Sequence, residues 1–144
     1  MAGQPASAEP RFIAFEVPGE AVPFARAGKH GKRHFTPAKQ SNYMAAVKDL
    51  AMKAMRDQPP MTGPVEYAFR ATYLIPESWS QKKRAAAVWK QSKPDWDNLA
   101  KLAGDAMNKI VYVDDAQIAS AVVQKRYGPV CRVTISIMQL GGAE

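Results

Sequence analysis

Between Val65 and Tyr73 the chain sets Val, Tyr, Phe, Ala and Tyr alternately against Glu, Ala, Arg and Thr. Period two is the spacing of a strand, whose successive side chains point to opposite faces, so this run predicts a half-buried strand. Other elements can be read around it. Arg11 to Val17 has the apolar and β-branched content of a short strand, ended by Pro18-Gly19 and Pro23. Thr36 and Pro37 suit the N-cap and first position of a helix. Tyr43, Val47, Leu50, Ala51 and Ala54 give that helix one buried face to about Arg56, before Pro59-Pro60. Ser78 or Ser80 would cap a short helix running through Val88, with Lys82, Lys83 and Arg84 outward. Leu99, Leu102, Ala103, Ala106, Met107 and Ile110 mark an amphipathic helix. Two closing strands follow, Ile118 to Tyr127 and Val130 to Met138, joined at Gly128-Pro129. In the second, Cys131, Val133, Ile135 and Ile137 share a face.

The length of 144 residues fits one domain, large enough to bury roughly two-thirds of its unfolded surface. Residues 1–10 read as a disordered tail without an apolar signal region, and 11–140 as the folded domain, with no repeat. The single cysteine, Cys131, excludes an intramolecular disulfide and a cysteine-based zinc site. It is expected to pack as a small hydrophobe, and a reducing cytoplasm suits the chain.

The formal net charge is +7. From Phe24 to Lys39 there are five cations (Arg26, Lys29, Lys32, Arg33 and Lys39), with His30, His34 and no acid. That composition points to an exposed cationic loop, with the histidines contacting solvent or phosphate rather than metal. Phe24 and Phe35 could anchor the loop ends or stack on bases.

Against this positive balance, five of the thirteen carboxylates fall between Lys93 and Asp115. A basic chain attracts polyanions, and a knot of aspartates would repel them unless a cation lies between. Aspartate oxygens suit a hard ion such as Mg²⁺, shared between carboxylates and a phosphate. If the backbone stays extended through Asp97, Asp95 and Asp97 point to one side and Trp96 to the other. Asp97 or Asn98 would then cap the next helix. Lys101 would lie within reach of Asp97 or Asp105, in a first turn where a cation opposes the helix dipole. Val111 to Val113 would return to the sheet, and Asp114-Asp115 would aim a carboxylate outward. Spacing alone equally allows caps, ion pairs and a turn.

The run Lys93-Pro-Asp-Trp-Asp-Asn-Leu-Ala-Lys101, then Asp105-Ala-Met-Asn108, then Val111-Tyr-Val-Asp-Asp-Ala-Gln-Ile118, resembles the RusA family of Holliday-junction-resolving endodeoxyribonucleases, common in phages and prophages. The family pattern is D-x-D-N with a lysine four residues after the second Asp, a D-A-[LM] helix, and an aromatic-x-D-D-x-Q element. Val17 to Pro23 and the basic loop with Phe35-Thr-Pro are similar to phage-type members, less specifically.

The resemblance implies an α+β fold, a single domain with a mixed β-sheet and helices packed on it, working as a homodimer. It makes Asp95, Asp97 and Asp115 the metal-binding catalytic carboxylates, with Asp114 a further candidate ligand and Lys101 the catalytic lysine. Asp105 and Gln117 match motif positions without an assigned role. The implied activity is Mg²⁺-dependent phosphodiester hydrolysis in DNA recombination and repair, with Mn²⁺ able to substitute. Two matched nicks in a two-fold symmetric four-way junction call for two subunits, because one chain carries one acidic site. Arg26, Lys29, Lys32, Arg33, Lys82, Lys83, Arg84, Lys125 and Arg126 are the expected DNA-backbone contacts. The rivals are a basic nucleic-acid-binding protein without catalysis, and a nuclease for other branched DNA or RNA.

Overall fold

The computed structural model describes residues 10–25 and 37–141. The predicted N-terminal tail, the loop candidates Arg26, Lys29, His30, Lys32, Arg33, His34 and Phe35, and the cap Thr36 lie outside them. Seven α-helices and β-strands follow in order, β1 (Phe12–Pro18), α1 (Pro37–Met55), β2 (Val65–Tyr73), α2 (Gln81–Ala85), α3 (Trp96–Ala106), β3 (Ile118–Tyr127) and β4 (Arg132–Gln139), with a 3₁₀ turn (Asp115–Gln117) before β3.

The fold is α+β, with a four-stranded mixed sheet in the order β1-β4-β2-β3. The alternating run is the strand expected, and it lies inside the sheet, antiparallel to β4 and parallel to β3. Val65, Tyr67, Phe69, Ala71 and Tyr73 all face the core. The two closing strands are consecutive but not neighbours. Gly128-Pro129 joins them, yet β2 lies between, because β4 pairs on its other side with β1.

One sheet face carries α1 and α3, which pack on each other, α1 also on β1 and α3 on β3. Tyr43, Val47, Ala51 and Met55 from α1 meet Leu99, Leu102, Ala103 and Ala106 from α3 over Val133, Ile135 and Ile137 of β4. Fully burying each large side chain contributes roughly 1.5–3 kcal/mol, so this shared interface dominates the stability. The opposite face carries polar pairs: Arg132 with Glu16 at 3.2 Å, Arg70 with Gln124 at 3.2 Å, and Ser120 with Glu66 at 2.7 Å. A sheet with antiparallel pairs tolerates such a wetted face.

Several boundaries differ from the sequence reading. The end of α1 is not among them: it falls at Met55, within a residue of the expected Arg56, where Arg56 and Asp57 take positive φ of 52° and 65°. α2 stops at Ala85 rather than Val88. Ser80 caps it by accepting from the Lys83 amide, and beyond it Val88 and Lys90 pair instead with Tyr127 and Lys125 along the free edge of β3. α3 ends at Ala106, so Met107 is its cap and Ile110 lies in the turn beyond. Val111 to Val113 form no strand; Tyr112 makes only isolated bridges to Met61 and Asn108.

Candidate active site

α3 presents the first half of the acidic stretch. The chain does not stay extended through Asp97: the helix starts at Trp96, with Asp95 as its N-cap and Asp97 inside the first turn. The Asp95 carboxylate makes no capping bond, so it is not consumed by the helix end. Lys93 Nζ holds it at 2.9 and 3.1 Å. Asp97 Oδ1 accepts from the Asn98 amide at 3.0 Å, and its charge complements the positive end of the helix dipole. Because the helix begins earlier than expected, Lys101 sits in the second turn, beyond the range where a cation strongly opposes that dipole.

Asp97, Lys101 and Asp105 recur at intervals of four and form one stripe along α3. Lys101 pairs with Asp105 at 3.3 Å, one turn further on. Its ammonium also lies 5.3 Å from the centre of the Phe24 ring, a cation–π contact. Phe24 is partly buried against the core, and its amide donates to Asn98 O at 2.9 Å. Of the two roles open to Phe24, anchoring is the one seen. Gln40 holds Ala25 through both backbone groups at 3.1 Å, so the entry to the basic segment is tied to α1. Glu20, Phe24, Lys93, Asp95 and Asn98 line a cleft of about 540 Å³ at the head of α3.

The second half of the stretch folds back onto the first. After α3, Lys109 takes a left-handed φ of 69°, its amide bonds Tyr112 O at 2.7 Å, and the Val111 amide bonds Met107 O at 3.0 Å. Tyr112 is fully buried and donates to Gly104 O on α3. Gly104, a glycine in mid-helix where alanine would favour the helix by about 1 kcal/mol, lies beneath Tyr67 and Tyr112. An added Cβ would meet Tyr67 Cε2 at 3.4 Å, an ordinary contact. Burial raises the phenol pKa of both tyrosines well above its usual value, keeping them neutral donors.

This return brings Asp115 against Asp105. The neighbouring Asp105 carboxyl raises the Asp115 pKa, as do burial and the charge of Asp114, while the Asn108 side chain opposes the rise. Asp114 has a different task. It caps the 3₁₀ turn Asp115–Gln117 by accepting from the Ala116 amide at 3.0 Å, in a reciprocal box with Gln117. Gln117 accepts from the Val113 and Asp114 amides and donates to Met61 O and Gly63 O, pinning the turn to the loop before β2.

Asp95, Asp97 and Asp115 are not brought together as one cluster. Among the described residues no three His, Cys, Asp or Glu side chains are grouped to share a metal ion. Asp97 and Asp105 stand two turns apart on α3, about 12 Å of axial rise. The pair that does meet is Asp105 with Asp115. Beside it, Asn108 Oδ1 is buried without a hydrogen-bond partner. Two like carboxyls and an orphaned amide oxygen form an oxygen-only donor set, the chemistry a hard divalent cation prefers. Asn108 did not stand out in the sequence, and only its place in the motif could have signalled it.

The cationic candidates are less uniform than their charges. Lys82 and Lys83 are exposed on α2; Lys83 Nζ lies 4.0 Å from the Trp79 ring centre, and Arg84 donates to Pro76 O at 2.8 Å. Arg126 covers the Trp89 ring at 4.9 Å. Lys125 donates to Ser92 O and Pro94 O, both at 2.7 Å, and so clamps the segment leading into Asp95. Burial and the neighbouring Lys90 lower its pKa. Cys131 is half-buried, its thiol pKa raised by burial and by Glu20, in keeping with packing rather than reactivity. No helix among the described residues is long and apolar enough to cross a membrane.

Residues 18–138, a span containing every acidic candidate, match the family model described as "Endodeoxyribonuclease RusA". A curated relative, the uncharacterized protein YqaN of Bacillus subtilis (strain 168), is 30% identical over 137 residues, covering 89% of this chain and 96% of its own.

Proposed function

The chain belongs to the RusA endodeoxyribonuclease family, and from that membership we propose that it resolves Holliday junctions by Mg²⁺-dependent phosphodiester hydrolysis, as a homodimer, in DNA recombination and repair. The observation that carries the reading is the Asp105–Asp115 carboxyl pair, joined by the orphaned Asn108 oxygen and flanked by Lys101. Like charges held together and a buried oxygen without a donor are both relieved by a cation. Asp115, Asp105 and Asn108 are the residues that would hold it, while Asp97 and Asp95, about two turns away at the head of α3, are the acidic groups that would face the substrate beside it. When bound, Mg²⁺ or Mn²⁺ supplies an activated water and compensation for charge developing on the phosphate.

The remaining chemistry belongs to side chains. Lys101 is half exposed and its ion pair with Asp105 is of the surface kind, worth at most about 1 kcal/mol. It can therefore exchange Asp105 for a phosphate oxygen and place its ammonium where charge builds in the transition state. Phe24 supports the lysine from below and keeps its charge near α3. Lys125, holding Ser92 O and Pro94 O, fixes the approach to Asp95, while Lys82 and Lys83 are placed to meet phosphates without reading bases.

The test is a nicking assay on a mobile four-way junction, a flap, a fork and linear duplex, with and without Mg²⁺. Symmetric paired nicks in the junction, dependent on the metal and absent in Asp97→Asn while junction binding survives, are expected. Binding without cleavage under any metal would make the protein a DNA-binding module. Faster cutting of flaps, forks or RNA would keep the nuclease and change its substrate. Sedimentation of the junction-bound protein should give two chains per junction.

A further inference from the structure

Away from the acidic pair, a groove of about 640 Å³ opens between α2 and the free edge of β3. Aromatic rings form much of it: Trp79 and Tyr127 meet edge to face at 5.2 Å, and Trp89, 59% exposed, stands on the rim. Cations surround these rings. Lys83 lies over Trp79, Arg126 over Trp89, and Lys90 is 4.9 Å from the Tyr73 ring centre and 5.7 Å from that of Tyr127. No Asp or Glu is among its lining residues.

The groove is built rather than incidental. Lys90 N donates to Lys125 O and Tyr127 N to Val88 O, both at 2.9 Å, so Val88 to Lys90 is tied to the edge of β3 by an isolated antiparallel bridge at Trp89. Its wall then continues through Gln91 and Ser92 into Lys93–Asp95, the segment that Lys125 clamps. The groove and Asp95 are thus two ends of one stretch of chain.

Resting on the reading of this protein as a nuclease for branched DNA, we propose that the groove is a subsite for unpaired nucleotides, with Trp89 and Trp79 stacking on bases and Lys83, Lys90 and Arg126 facing their phosphates. Flat aromatic faces accept any base, and the surrounding cations match the backbone charge. In duplex the same base faces are covered by their neighbours, so the groove favours a strand that has left the helix. Such a strand is found where DNA branches. A strand seated there would lie at the start of the segment that carries Asp95.

The experiment is a binding titration in EDTA, where cleavage plays no part, using a short oligothymidylate and a blunt duplex of equal length. Tryptophan fluorescence should be quenched by the single strand. Trp89→Ala should weaken single-strand affinity roughly tenfold, the loss expected for one stacked base, and leave duplex affinity near wild type. Trp89→Tyr should retain most of it, and Phe12→Ala, an exposed aromatic on the opposite edge strand, should change neither. Unchanged single-strand affinity in Trp89→Ala, or equal loss for both DNAs, overturns the proposal, as does capture of an acidic peptide in place of the oligothymidylate. Failure to cut any DNA would sink the nuclease reading while leaving these affinities to decide the groove.

Discussion

Asp105 in the last turn of α3 and Asp115 at the head of the 3₁₀ turn stand as neighbouring carboxyl groups, which raises the Asp115 pKa and favours its protonated form. The folded state therefore holds that proton more tightly than the unfolded chain, whose Asp115 has the ordinary value of 3.8. With the folded pKa raised, native stability is highest below the unfolded value and falls as pH climbs through the folded one. In EDTA, Asp115→Asn should melt higher than wild type at neutral pH, and the gap should close near pH 3.8. Melting curves across pH measure this; a variant melting at or below wild type at neutral pH would contradict the like-charge strain.

Cation binding should reverse that penalty. Mg²⁺ or Mn²⁺ at 100 times its dissociation constant stabilises a native-state site by roughly 2.7 kcal/mol. Asp105→Asn, Asp115→Asn and Asn108→Leu should each blunt the rise in melting temperature. Asp49→Asn, whose carboxylate pairs with Lys53 on the exposed side of α1, should respond like wild type. Equal responses in all four variants would remove the metal from this pair.

Lys101→Ala should abolish most cleavage and cost little stability. Its ion pair is exposed and of the i, i+4 type, worth about 0.3–0.5 kcal/mol. Single-turnover rates on a junction, set against a melting curve, separate the two effects. A large drop in melting temperature would mean that the lysine is structural.

Gly104→Ala offers a test that touches no acid. The backbone is helical and the new methyl group would make ordinary contacts with Tyr67 and Tyr112, so the helix should gain up to about 1 kcal/mol. Thermal unfolding should shift upward by about 4 °C. A downward shift would show that Tyr67 and Tyr112 cannot give way and that close packing is the glycine's purpose.

Lys125→Met should loosen the path to Asp95. Losing the ammonium leaves Ser92 O and Pro94 O without their donor, at a cost of about 1 kcal/mol. Hydrogen exchange should rise between Gln91 and Asp95 and cleavage should slow. Exchange unchanged there, with weaker DNA affinity, would return Lys125 to the role of a phosphate contact.

Periodicity alone located β2, α1 and the apolar face of α3, because a strand or helix that buries one face must repeat its apolar residues at the spacing of its own backbone. The acidic motif named Asp95, Asp97, Lys101 and Asp115 as candidates only through its resemblance to the RusA family. Which groups meet was another matter. The start of α3 at Trp96 moved Asp95 and Asp97 out of the extended pairing, and a left-handed Lys109 with the buried Tyr112–Gly104 bond carried Asp115 back to Asp105 and Asn108. Gly128-Pro129 joins the two closing strands, yet β2 lies between them. A side-chain pattern states that a face must be buried or a charge compensated. Only the assembled sheet, with α1 and α3 filling one face, determines by what.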